Sequence, residues 1–378
     1  MHPRLDKLLE QLDKASTQSL GYPVSFDFDY QALYPFLAYS INNAGDPFAD
    51  MTYKLNTYSF ERDVVEYYAR LTHAPKDAWW GYVTNGGTEG NLYGLYLARE
   101  IYPQGIVYHS QDTHYSVSKN LHFLGMKNIM IRSQENGEID YEDLRETLRV
   151  RRDVPPIIFA NIGTTMTEAR DDLAKIKAIL DELAISKYYI HCDAALSGGY
   201  LPFIEHQNHW DFADGAHSIS ISGHKFIGSP IPCGIVLALK ENVERISRSI
   251  SYIGGRDTTV TGSRNGFSPL MLWQAIKTTG DQGLKERAEK ALATAAFAVE
   301  CLQQAGVAAW RNANALTVIL PQPSAAIRDH WQLATANGIS HLICMPNIRR
   351  VQIEALAAEI ATEIEADNKA GKKEHEDD

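Results

Sequence analysis

The sequence predicts an α/β fold: a mostly parallel sheet covered by helices, followed by a smaller C-terminal α/β domain. Three observations predict it. Between Tyr82 and Ala238, short apolar runs alternate with helix-length amphipathic stretches, the rhythm of successive βα units. The chain has 378 residues, enough for one large or two moderate domains with ample core. Its 44% hydrophobic and 22% charged content is ordinary for a globular protein.

Residues 4–20 read as a helix with Leu5, Leu8, Leu9 and Leu12 on one face, stopped by Gly21-Tyr22-Pro23. A mixed stretch to about 55 contains the turn-rich Asn42-Asn43-Ala44-Gly45-Asp46-Pro47. Phe60, Val64, Tyr67, Tyr68 and Leu71 then mark a helix over 59–71. Strand-like runs follow at Tyr82-Val83-Thr84, Ile106-Val107-Tyr108, Ile129-Met130-Ile131 and Ile157-Ile158-Phe159-Ala160. Helices are expected after them at about 88–101, 115–124, 141–151 and 171–185. Three more strands are expected at Tyr189-Ile190-His191, Ile219-Ser220-Ile221 and Ile235-Val236-Leu237-Ala238. The Gly/Pro-rich turn at 228–234 allows the last two to pair antiparallel. The glycine-rich polar stretch 252–268 is expected to be a mobile loop. A long helix over 269–304, a strand at 316–320 and a terminal helix over 349–365 complete the pattern. The expected organisation is an N-terminal segment 1–55, a large domain 56–265, a small domain 266–366 and a disordered tail 367–378.

Lys and Arg number 36 against 47 Asp and Glu, a net charge of −11. An acidic chain without basic clusters argues against nucleic acid. No apolar run is long enough for a membrane, and no apolar core follows the basic residues of the N-terminus. The four cysteines form no CxxC pair, so reduced thiols in a cytoplasmic protein are expected. None of the thirteen histidines sits in HExxH or another tight ligand pattern, so no catalytic metal is expected.

The candidate chemistry lies at strand ends. Ser218-Ile219-Ser220-Ile221-Ser222-Gly223-His224-Lys225 is an alternating run ending in a lysine, and Tyr188-Tyr189-Ile190-His191-Cys192 ends in Asp193. A lysine and an acid at the ends of adjacent strands suit pyridoxal phosphate. The lysine forms a Schiff base with its aldehyde, and the acid keeps the pyridine nitrogen protonated. Asn85-Gly86-Gly87-Thr88-Glu89-Gly90 follows a strand and opens a helix, where backbone N–H groups suit a phosphate. Ala194 and Ala195 are small enough for a flat ring to lie against the backbone. His114 follows another strand end and is placed to stack on that ring, while Ser222 and His224 are hydrogen-bond donors flanking Lys225. Singly, these read as a structural turn, an Asp cap, a surface histidine and a solvated lysine. The constellation reverses that ranking.

At these residues the chain resembles the group II pyridoxal-phosphate-dependent amino-acid decarboxylases, of the aspartate aminotransferase-like fold (fold type I). Further segments carry the resemblance: Ser40-Ile41-Asn42-Asn43, Asn136-Gly137-Glu138-Ile139-Asp140-Tyr141, Asn161-Ile162-Gly163-Thr164-Thr165 and Gly262-Ser263-Arg264-Asn265-Gly266. The resemblance implies Lys225 at the cofactor aldehyde, Asp193 at the ring nitrogen and His114 over the ring. It implies Gly86, Gly87, Thr88, Ser222 and His224 at the phosphate, with Ala195 beside the ring. Thr165 would lie near the cofactor O3′ or the substrate, and Tyr252 would be the catalytic tyrosine of the loop. It also implies a homodimer with shared sites. Two departures stand out: Phe267 where the family often has histidine, and Met166-Thr167-Glu168-Ala169-Arg170 where it usually has a small Gly-Ala step. Within the family, Asp193-Ala194-Ala195-Leu196-Ser197-Gly198 resembles the histidine enzymes, and Gly45-Asp46-Pro47-Phe48 the plant serine enzymes. The expectation is decarboxylation of L-histidine to histamine. The alternatives are L-serine to ethanolamine, or a cofactor-binding protein without catalysis.

Overall fold

Strands form where β-branched and aromatic residues cluster. A computed structural model of the protein describes residues 2–49, 51–250 and 255–374. Seven strands, β1 (Trp79–Thr84), β2 (Ile106–Ser110), β3 (Lys127–Ile131), β4 (Pro156–Asn161), β5 (Tyr189–Asp193), β6 (Ser218–Ser222) and β7 (Gly234–Leu239), form one sheet. Its order is β1-β7-β6-β5-β4-β2-β3. All pairs are parallel except those of β7, which runs antiparallel to both β1 and β6, as the short turn before it permits. The helices are α1 (Pro3–Thr17), α2 (Tyr58–Leu71), α3 (Gly87–Ile101), α4 (Ser116–Leu124), α5 (Tyr141–Val150), α6 (Leu173–Glu182), α7 (Lys240–Glu244), α8 (Phe267–Gln304), α9 (Ala325–Trp331) and α10 (Arg350–Glu374). Helix α3 buries Tyr93, Leu95, Leu97 and Ala98 against Tyr82, Val107, Ile157, Tyr189 and Val236 of the strands. Each large apolar side chain so buried contributes about 1.5–3 kcal/mol. This packing fixes the start of α3 over the sheet. No helix among the described residues is long and apolar enough to cross a membrane.

The chain divides into two units, Asp27–Glu286 and Met1–Phe26 with Arg287–Asp378. This differs from the expected breaks near 55 and 265. The reason is a non-local pairing inside the second unit. Its antiparallel sheet joins β10 (Thr317–Pro321), β12 (Ile339–Ile343) and β11 (Ala334–Ala336), while the larger unit holds the antiparallel pair β8 (Arg248–Ile250) and β9 (Gly255–Asp257). Leu20 N donates to Trp331 O at 3.2 Å, and its carbonyl accepts from Ile343 N at 2.7 Å. Gly21 is pressed so close that a Cβ there would lie 2.3 Å from Gln332 O. Helix α1 thus ends at Thr17, before the expected stop at Gly21, and the segment after it docks on this sheet.

Hydrogen bonds reach the described part of 252–268 from the rest of the larger unit. Asp46 N donates to Arg256 O at 3.0 Å, Thr258 Oγ1 to Asp46 Oδ2 at 2.9 Å, and Tyr93 OH to Thr258 O at 2.7 Å. Helix α10 runs on to Glu374, through most of the tail expected to be disordered, because its Ala, Lys and Glu residues are strong helix formers.

Candidate active site

The carboxyl ends of β1, β2, β4, β5 and β6 lie along one edge of the sheet, where open α/β folds place their ligands. β1 enters α3 through Gly86, whose φ of 142° favours glycine. No side chain caps α3, so the N–H groups of its first turn remain for a ligand. A Cβ on Gly87 would lie 2.9 Å from Ser222 Oγ and 3.8 Å from Ala195 Cβ. Residues from the ends of β1, β5 and β6 thus border one space. Gly234 keeps it open: it pairs with both Thr84 and Ser222, and a Cβ there would lie 3.1 Å from the Gly86 carbonyl carbon. Thr88 is exposed on the same turn, its carbonyl bound by Asn120 Nδ2 at 3.0 Å.

β6 runs into one wide helical turn, Gly223–Ile227, in which Lys225 leaves helical angles (φ −91°, ψ −110°). Single wide turns of this kind recur at functional sites. Burial lowers the pKa of Lys225, while the Asp193 and Glu168 carboxylates oppose the shift. The direction favours the neutral, nucleophilic amine. His224 Nδ1 lies 2.8 Å from Cys233 O, which leaves Nε2 as the nitrogen for a ligand.

Asp193 closes β5 and is buried. Its Oδ1 accepts from Ala195 N at 3.1 Å and its Oδ2 from Asn91 Nδ2 at 2.8 Å. The His114 ring has Nδ1 2.8 Å from Ser116 Oγ. Burial lowers its pKa, Asp193 pulls it up, and Lys225 and Lys119 push it down. His114, Asp193 and Lys225 therefore share one electrostatic field. Thr165 is exposed on the loop after β4 and, among the described residues, hydrogen-bonds none of the other candidates. Tyr252 lies outside the described residues.

Sequence reasoning missed a buried polar cluster beside this site. Glu168 sits at φ 52°, a conformation uncommon for a non-glycine residue, where the family usually has its small Gly-Ala step. Its carboxylate accepts from Tyr200 OH, from Ser197 Oγ at 3.3 Å and from Arg170 NH2 at 3.3 Å. The Tyr200 ring packs on Phe226, next to Lys225. The charged pair in place of small residues was the available signal. The partners Ser197 and Tyr200 left none, because the contact is non-local.

A family model, the pyridoxal-dependent decarboxylase conserved domain, matches residues 36–307. The chain belongs to the pyridoxal-dependent decarboxylases. It is 49% identical to a histidine decarboxylase of Mesorhizobium japonicum, over 95% of this chain and 97% of that protein. It is also 49% identical to one of Morganella morganii, over 94% and 95%. Among solved structures, L-methionine decarboxylase from Streptomyces sp. 590 superposes with a TM-score of 0.87 at 27% identity, covering 95% of this chain and 93% of that one. Glutamate decarboxylase of Lactobacillus brevis, at 19% identity and a TM-score of 0.76, shares the fold. Fold type I and use of pyridoxal phosphate thus stand for this decarboxylase. Its own residues fit the group: an uncapped helix start beside Ser222 for a phosphate, small Ala195 for a ring, Asp193 for a ring nitrogen and a lysine whose pKa burial depresses.

Proposed function

We propose that this decarboxylase converts L-histidine to histamine and CO2. One observation carries the substrate: near-half identity, over almost the full length of both chains, to proteins named histidine decarboxylase. The stretch that resembles the serine enzymes also has a structural use. Asp46 accepts from Trp80 Nε1 at 3.1 Å, Phe48 N at 2.8 Å and Thr258 Oγ1 at 2.9 Å, so its carboxylate organises a loop.

Bound pyridoxal phosphate supplies a ring that takes up the electron pair left when the substrate carboxylate departs. In this reading the Lys225 amine, which burial favours in its neutral nucleophilic form, would hold the aldehyde of the bound cofactor. Asp193 holds a proton at the ring nitrogen. A carboxylate about 4 Å from that nitrogen is worth roughly 4 kcal/mol at an effective dielectric near 20. His114 would cover the ring, and Thr165 would serve the cofactor O3′ or the substrate. Gly86, Gly87, Thr88, Ser222 and His224 hold the phosphate through N–H and O–H donors. Tyr252, or else His114 or Lys225, would return the proton to the substrate Cα.

The same reading takes the enzyme as a cytoplasmic homodimer with shared sites. Buried thiols at Cys192 and Cys233 fit a reducing compartment. The test is CO2 release with amine identification, on cofactor-loaded protein offered histidine and serine separately at equal concentration. Histamine with little ethanolamine is expected. Ethanolamine would move the substrate to serine and keep the site, and no CO2 from any amino acid would leave a cofactor-binding protein without catalysis.

A further inference from the structure

Behind Asp193 runs a buried polar chain that the roles above do not use. His191 lies two residues before Asp193 on β5, so both side chains leave the same face of the sheet. The imidazole is fully buried. Its Nδ1 is 2.7 Å from Ser218 Oγ and its Nε2 is 3.0 Å from Asn91 Oδ1. Asn91 Nδ2 then reaches Asp193 Oδ2 at 2.8 Å.

Hydrogen-bond chemistry fixes the direction of this chain. An ionised carboxylate only accepts, so the Asn91 atom against Asp193 is its amide nitrogen. The Asn91 oxygen therefore faces His191 and requires a hydrogen on Nε2. Burial pushes the His191 pKa down to about 3, so the ring is neutral and carries one hydrogen. Nδ1 is left as an acceptor, and Ser218 donates to it. Every donor points from Ser218 toward Asp193.

The fold gives up local stability to keep this arrangement. Gly94 lies mid-way along α3, where glycine costs about 1 kcal/mol against alanine. A Cβ there would stand 2.1 Å from His191 Nδ1. Gly90, one turn earlier, makes the same allowance for Ser220 Oγ at 2.2 Å. Asn91, between them in sequence, is 2% exposed. A half-satisfied network at this depth would be costlier than an apolar one, so an unbroken, one-way chain from Ser218 to Asp193 points to a use.

We propose that Asn91, oriented by His191, is a positioning residue that locks the Asp193 carboxylate toward the cofactor ring nitrogen and so keeps that nitrogen protonated. The inference rests on the reading of Asp193 as the ring-nitrogen partner. Asn91 occupies one lone pair of Oδ2 and the Ala195 N–H one of Oδ1, so the carboxylate cannot rotate without losing both. The remaining lone pairs keep a fixed direction. Without His191 the Asn91 amide can flip, and an oxygen against Asp193 would repel it.

The experiment uses holoenzyme loaded with pyridoxal phosphate labelled with nitrogen-15 in the ring. The ring resonance is followed against pH in wild type, Asn91→Ala, His191→Phe and Asp193→Ala, with circular dichroism as the check on folding. The charged and titratable neighbours are Lys225, His114, Lys119, Glu168 and His224, the groups that act on one another across this site. All five are unchanged in the variants, so the difference reads Asn91. In Asn91→Ala the ring nitrogen is expected to lose its proton about one pH unit lower than in wild type, a tenfold loss of proton affinity, with a smaller shift in His191→Phe.

A second readout replaces the cofactor by its deaza analogue, with CH in place of the ring nitrogen. The rate advantage of wild type over Asn91→Ala should collapse toward one, whereas a merely structural role would leave it unchanged. An unshifted resonance in folded Asn91→Ala, or an unchanged advantage with the analogue, would overturn the proposal. If Asn91→Ala does not fold, His191→Phe carries the same two readouts. A wild-type ring nitrogen unprotonated at neutral pH, or unaffected by Asp193→Ala, would instead sink the underlying reading of Asp193.

Discussion

Lys225 and Asp193 divide the proposed chemistry, and each makes a different failure when removed. Lys225→Ala should lose the borohydride-reducible adduct that mass spectrometry detects in wild type, with turnover down by about three orders of magnitude or more. Asp193→Ala should keep measurable cofactor yet lose about 100- to 1,000-fold in kcat, since roughly 4 kcal/mol at the ring nitrogen corresponds to about three pKa units. An adduct persisting without Lys225, or near-normal kcat without Asp193, contradicts the assignments. His191 makes a separate prediction about acid stability. Its folded pKa of about 3 lies below the ordinary 6.5. A depressed base leaves stability intact above the unfolded pKa and withdraws it as pH falls toward the folded one. Between pH 7 and 5 the stability advantage of wild type over His191→Phe should therefore shrink by about 2 kcal/mol, read from urea denaturation. Asp171, pushed up to about 7 by burial, acts in the opposite direction. The difference between the two proteins, not the absolute stability, isolates the imidazole.

At the scale of elements, the start of α3 depends on a staple far from it in sequence. Arg264 NH1 donates to Glu61 Oε1 and NH2 to Gly45 O at 2.8 Å. Glu61 also accepts from Val83 N at 2.9 Å and from Asn43 Nδ2 at 2.7 Å, and the guanidinium covers the Tyr82 ring at 5.1 Å. One buried pair thus joins α2, β1 and the turn at 43–45, just before the glycines. Arg264→Met should cost about 3–5 kcal/mol because it strands the buried Glu61 charge, and adding Glu61→Gln should recover much of it. A single variant no less stable than the double would count against the staple. The contrast with Lys225 explains what was legible. Lys225 and Asp193 end alternating runs, so period and strand ends revealed them, and the antiparallel β7 followed from its short turn. Arg264 was visible only as a family motif without a role. Its partner lies about two hundred residues away, and a long-range pair leaves no local periodicity. The chain from Asn91 to Ser218 was hidden for the same reason, although His191 stood inside one run already singled out and Asn91 directly after another.

At the scale of the whole molecule, the larger unit exposes several large apolar side chains. Tyr34, Leu37, Tyr115 and Phe123 are each more than 60% exposed. Tyr115 is the telling one, because its ring centroid lies 4.4 Å from that of His114. Whatever covers Tyr115 stands beside the site. A second copy of the chain meets this requirement in the proposed homodimer, where its loop around Tyr252 would enter the neighbouring site. Subunit mixing tests both parts together. Lys225→Ala and Tyr252→Phe proteins should each be nearly inactive alone. If the loop crosses between subunits, the mixed dimer holds one site with Lys225 from one chain and Tyr252 from the other. Random reassortment at equal concentrations makes half the dimers mixed, and about a quarter of wild-type activity should return. If each loop serves its own chain, every site in the mixed dimer lacks one residue and no activity returns. Sedimentation of the wild type as a monomer would remove the dimer, and with it the shared site.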